Sequence, residues 1–93
     1  MMSTLPIDLK NVKKENVDME ILRVGMIAEL DAVNLYEQLA SKTSSKIIKA
    51  LLLDIAKEEK THIAEFETML LKYDKGQVKE HEKGKKEVEE KFR

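Results

Sequence analysis

Cysteine and tryptophan are missing from this 93-residue chain, and proline, glycine and aromatic residues are scarce, at one, three and four. Without thiols there is no disulfide, no thiolate zinc site and no rubredoxin-type iron centre. Chemistry that draws electrons from such a centre within the chain is therefore disfavoured. So few aromatic and turn-forming residues argue against a sandwich or barrel. An excess of one charge is lacking too: seventeen Lys and Arg balance eighteen Asp and Glu to a net −1. No bulk attraction to nucleic acid or to an anionic membrane follows. The longest apolar run, Ala50 to Leu53, falls far short of the ~20 residues of a membrane span. The opening Met1-Met2-Ser3-Thr4-Leu5-Pro6 has neither the basic start nor the apolar stretch of a signal peptide. A cytoplasmic location is the expectation.

At 42% hydrophobic and 38% charged, the composition is that of a globular, helical chain of one domain, residues 1–93, in three zones. Residues 1–17 read as an irregular lead-in, with Ile7 and Leu9 tucked against the body and Asn16 or Asp18 able to cap a helix start. Residues 18–74 read as an antiparallel two-helix hairpin. Its first helix spans Met19 to about Ser41, with the apolar line Leu22, Met26, Glu29, Val33, Tyr36, Ala40 stepping by fours and threes. After the hydroxyl-rich link Lys42-Thr43-Ser44-Ser45, a second helix runs from about Lys46 to Asp74, with Gly76 as its stop. Its line is Ile48, Leu52, Ile55, Glu59, His62, Phe66, Met69, Tyr73. Residues 75–93 are mostly charged, twelve of nineteen, and suit a short C-terminal helix or a disordered tail. Two helices cannot shield apolar faces this wide. A second copy completing a four-helix bundle by two-fold symmetry is the economical solution.

Glu29, Glu59 and His62 stand where the period assigns the interior. A carboxylate there costs several kcal/mol, or a raised pKa, unless something balances it (about that scale for a buried charge). Counted from Thr43, Glu29 lies 14 residues before the turn and Glu59 16 after, so their heights differ by only about 3 Å. His62 follows on the same side, one turn along. A lone glutamate on one helix plus Glu-x-x-His on its neighbour is half of a di-iron carboxylate site. Two-fold pairing would supply four carboxylates and two imidazoles, and four negative charges neutralise two divalent ions. Such oxygen-rich donors suit iron or manganese, and zinc without redox chemistry. The plainer alternative is a buried hydrogen-bonded polar cluster at a dimer seam.

Tyr36, seven residues after Glu29, is either an ordinary bundle residue or a hydrogen-bond partner of a ligand carboxylate. Asp31 is expected at a surface or rim, as is Glu37. Glu58, Glu65, Glu67 and His81 are expected in solvent, and Met19, Met26 and Met69 as core filler.

The stretches Ala28-Glu29-Leu30-Asp31-Ala32-Val33-Asn34-Leu35-Tyr36 and Ile55-Ala56-Lys57-Glu58-Glu59-Lys60-Thr61-His62 resemble the encapsulated ferritins, a branch of the ferritin-like superfamily. The likeness covers roughly residues 18–74. It implies a hairpin that dimerises into a ferritin-like four-helix bundle, with a ferroxidase centre across the subunit interface and further assembly into rings, commonly decamers. It implies oxidation of Fe(II) with O2 and delivery into an encapsulin nanocompartment. By position, Glu29, Glu59 and His62 would be the iron ligands and Tyr36 the tyrosine beside the centre. Two features depart from the pattern. Ala28 and Asp31 flank Glu29 where some relatives carry glutamates of a metal-uptake site. The ending Glu89-Glu90-Lys91-Phe92-Arg93 does not resemble an encapsulin-targeting peptide, as in a truncated chain, a domain of a shell fusion, or a relative working without a shell. The expectation is a ferroxidase; the rivals are a non-catalytic zinc or manganese dimer and a helical interaction module.

Overall fold

The computed structural model describes residues 8–92, the Leu9 side chain excepted, so the expected packing of Ile7 and Leu9 lies outside the described residues. Two 3₁₀ turns, Leu9–Asn11 and Lys14–Asn16, lead into α1 (Val17–Lys42), α2 (Lys46–Tyr73) and α3 (Lys75–Lys91). The fold is all-α, a two-helix hairpin followed by a C-terminal helix, and among the described residues no helix is long and apolar enough to cross a membrane. The hairpin helices lie within a residue or two of their expected bounds. Asn16 does occupy the position before α1, but its side chain makes no capping bond.

Three residues make the turn between α1 and α2. Thr43 and Ser45 are extended, which stops α1 and points the chain back. The Ser45 amide donates to Thr43 Oγ1 at 3.2 Å, and Ser45 Oγ accepts from the Ile48 amide at 3.2 Å. One of the first-turn amides of α2 is thereby satisfied.

The second break differs from expectation. Gly76 does not stop α2; it lies in the first turn of α3, and no glycine takes a positive φ among the described residues. Asp74 makes the break, with φ −104° and ψ 89°. Its Oδ1 accepts from the Gln77 amide at 3.0 Å, capping α3, while its Oδ2 accepts from the Arg23 guanidinium of α1 at 2.7 Å. The Gln77 amide, and then Arg23, hold the Asp74 carboxyl below the usual carboxylate range. The contribution of this bracket is therefore complete above the unfolded value near 3.8 and is lost as pH falls through the lower folded value. The charged tail is thus helical, because a cap and an ion pair start it. Glu67 and His81, both expected in solvent, add a contact between α2 and α3 at 3.6 Å.

Within the hairpin the helices approach closely at Gly25, where an added Cβ would stand 2.6 Å from Phe66 Cε1. The interior remains thin. Among the described residues only Ala40, Ala56 and Leu70 are buried, while Ile47 (84% exposed), Leu51 and Leu30 are open to solvent. Met69 is exposed and Met19 and Met26 are half-buried, so none is a core residue. The radius of gyration, 16.5 Å, exceeds the roughly 12 Å of a compact domain of this length. One chain alone leaves its apolar face unburied.

Gly25→Ala should destabilise the chain in urea unfolding. The clash costs about 1–3 kcal/mol, against a helix-propensity gain of up to about 1 kcal/mol. Adding Phe66→Leu should restore most of the loss. Separately, Asp74→Ala should accelerate hydrogen exchange of the Gln77 amide, whereas Asp74→Asn, which keeps an acceptor oxygen, should preserve its protection.

Candidate metal centre

The periods of α1 and α2 bring Glu29, Glu59 and His62 together on facing sides of the hairpin. One donor atom from each lies within 4.8 Å of the others. His62 Nδ1 is 3.4 Å from Glu29 Oε2 and 3.5 Å from Glu59 Oε2, so one imidazole nitrogen stands between two carboxylates. The carboxylate side chains are mostly covered, at 21% and 18% exposure, and the imidazole is more open.

Glu29 Oε2 is fully buried and has no hydrogen-bond partner. A carboxylate oxygen in that state is costly unless a cation or a donor reaches it. The nearby carboxylate adds repulsion that a single imidazole cannot offset, since even protonated it carries one positive charge against two negative. Two oxygens and a nitrogen, grouped and short of positive charge, fit a divalent ion of intermediate hardness. One chain supplies half the donors that a two-metal carboxylate centre uses.

The other residues singled out by sequence are not among the three grouped donors. Tyr36 is half-buried on α1, two turns nearer the hairpin tip. Asp31 is half-buried, while Glu58 and Glu65 are exposed as expected. Glu37 is exposed and pairs with Lys60 at 3.5 Å. A groove of about 400 Å³ opens beside the cluster, lined by Glu29 and His62 together with Glu65, Phe66 and Met69. Periodicity did not reveal the groove, because it depends on how Phe66 seats over Gly25. The only hint was the glycine itself, within an otherwise strong helix former.

A helical hairpin with a lone glutamate facing Glu-x-x-His defines a ferritin-like protein. The chain belongs to the rubrerythrin family, which it matches over residues 20–93. It is 51% identical over 72 residues, 77% of its length, to a ferritin-like-encapsulin shell fusion protein of Pyrococcus furiosus. It spans about a fifth of that protein (21%). It also matches the crystal structure of the encapsulated ferritin domain from Pyrococcus furiosus with a TM-score of 0.82 and 43% identity, over 97% of this chain and 94% of that one.

Glu29→Gln should leave the metal-free chain as stable or more stable, by up to about 1–3 kcal/mol, because it removes a buried, unpartnered charge. The same variant should lose the rise in melting temperature that Fe(II), Mn(II) or Zn(II) gives the parent protein. Differential scanning calorimetry with and without metal checks both.

Proposed function

We propose that this chain is a ferroxidase subunit, acting as one half-bundle unit, that oxidises Fe(II) to Fe(III) with O2 at a centre shared by two copies. The observation that carries this reading is the buried Glu29 Oε2, which makes no hydrogen bond and stands 3.4 Å from His62 Nδ1, with Glu59 beside it. Two such sets brought face to face give four carboxylates and two imidazoles, enough for two divalent ions at zero net charge. The open apolar face of the hairpin supports the pairing, since a second copy would cover it.

In this reading Fe(II) is the substrate, held by Glu29, Glu59 and His62 of both copies. The carboxylates prefer the harder Fe(III), which lowers the cost of giving up an electron. Burial of the carboxylates limits water and strengthens each charge interaction. Tyr36, on the same line of α1 as Glu29, would serve as a hydrogen-bonding neighbour of the centre. Glu65 lines the groove beside His62 and Glu29 and offers incoming cations a solvated carboxylate. Likeness to an encapsulin shell fusion protein and to an encapsulated ferritin domain supports a working place inside an encapsulin compartment of the cytoplasm, with the dimers built into a larger ring such as a decamer.

Anaerobic loading with Fe(II) followed by air should produce a ferric absorbance in the parent protein and almost none in His62→Ala. Sedimentation equilibrium at micromolar concentration should show a dimer or a larger assembly. A fully helical monomer that still gave the ferric signal would overturn the shared centre. Metal uptake without oxygen consumption would point instead to a zinc- or manganese-holding dimer.

A further inference from the structure

The three methionines among the described residues line separate grooves, Met69 two of them. Met19 sits in a polar recess with Asn16 and Glu20. Met26 lies in an apolar groove with Ile27 and Leu70, bordered by α3. Met69 shares the groove of about 400 Å³ with Glu29 and His62. It is 40% exposed in the single hairpin; in the paired state it would face the seam with the ligands, so the oxidant that reaches it is one formed at the centre. Seven residues separate His62 from Met69 on one face of α2, a distance along the axis of about 10 Å, or two turns.

We propose that Met69 is an oxidative modification site, its sulfur converted to the sulfoxide by the reduced oxygen species that leave the Glu29–Glu59–His62 centre. This rests on the ferroxidase reading. Two Fe(II) ions give two electrons to O2, which with two protons becomes hydrogen peroxide. A further Fe(II) arriving at the same carboxylates gives one electron to peroxide and cleaves its O–O bond, yielding Fe(III), hydroxide and a hydroxyl radical. The radical adds to the Met69 sulfur. The adduct then gives one electron to Fe(III) and one proton to the hydroxide, leaving the sulfoxide and water. In sum, one thioether and one peroxide become one sulfoxide and one water, and iron returns to its starting state.

Geometry determines which methionine reacts. A hydroxyl radical is consumed at almost every encounter, so it marks side chains close to where it forms. Glu29, His62 and Met69 line one groove, whereas Met26, although only three residues from Glu29 on α1, opens into another, so the shared groove rather than distance along the chain sets Met69 apart. Phe66, which also borders the first groove, can take the radical at its ring, so the comparison that isolates the groove is among the three methionines, which carry the same sulfur. Conversion of a flexible apolar thioether into a polar sulfoxide is reversible by reductases, so Met69 would take damage that can be repaired and shield ligands that cannot.

Repeated Fe(II) and air cycles on the full chain, followed by peptide mass mapping, test this. The expected result is a several-fold excess of single-oxygen addition at Met69 over Met19 and Met26. Catalase should suppress the excess, and His62→Ala should lack it. Metal-free protein given hydrogen peroxide alone should oxidise Met69 only modestly ahead of the less exposed Met19 and Met26, well short of that several-fold excess. Met69→Leu should leave the ferric absorbance intact. Equal oxidation of the three methionines during turnover, an excess that survives catalase, or the same excess with peroxide alone would overturn the assignment. If ferric absorbance develops while Met69 stays reduced, only the role of Met69 fails. If no ferric absorbance develops, the ferroxidase reading fails and this assignment with it.

Discussion

Two carboxylates and one imidazole held on facing helices, with one carboxylate oxygen buried without a hydrogen bond, is the constraint from which the rest of this structure follows. Charge in that position must be compensated, and the chain does not compensate it alone. The same hairpin also leaves Leu30, Ile48 and Leu51 in solvent. In the proposed reading both deficits have one remedy, a twin chain together with cations. The two requirements would then be coupled, since copies meeting at the apolar face would also bring together the groups proposed to share the metals.

The hairpin and the cluster were legible from sequence because both depend on local regularities. Apolar residues recur by threes and fours, and Glu29, Glu59 and His62 sit on those lines at matched distances from Thr43. Counting residues fails where contacts leave that lattice. Arg23 lies 20 residues before Thr43 and Asp74 31 after it, so the rule that aligns Glu29 with Glu59 sets them far apart in height. They nevertheless meet at 2.7 Å. The contact depends on the reach of a guanidinium and on where the chain leaves α2, and a period records neither. Gly76 drew the helix stop to itself because glycine ends many helices. The actual break is one carboxylate that caps the next helix and grips the first. The helical tail was undecidable from composition for the same reason: its start lies in that tertiary contact rather than in its own residues.

The methionines show a different gap. A thioether at helical spacing reads as filling, and in a complete bundle some of these residues would be filling. In a single hairpin with a thin interior, the period places both Met26 and Met69 on the lines that carry the cluster, yet Met69 shares a groove with Glu29 and His62 while Met26 lines another, and a period does not record that difference.

The tight link from Thr43 to Ser45 has a consequence for how such a chain can change in length. One residue added on either side of the link, within the span up to Glu29 or Glu59, swings the part beyond it by about 100°. That swing carries Glu29 out of line with Glu59 and His62 and breaks up the cluster. Seven residues added to one helix alone restore the angle but offset the partners lengthwise by about 10 Å. Only matched heptads in both arms conserve angle and height together. Growth of the molecule is therefore confined to its open ends, and the hairpin tip is a phase reference that tolerates substitution far better than insertion.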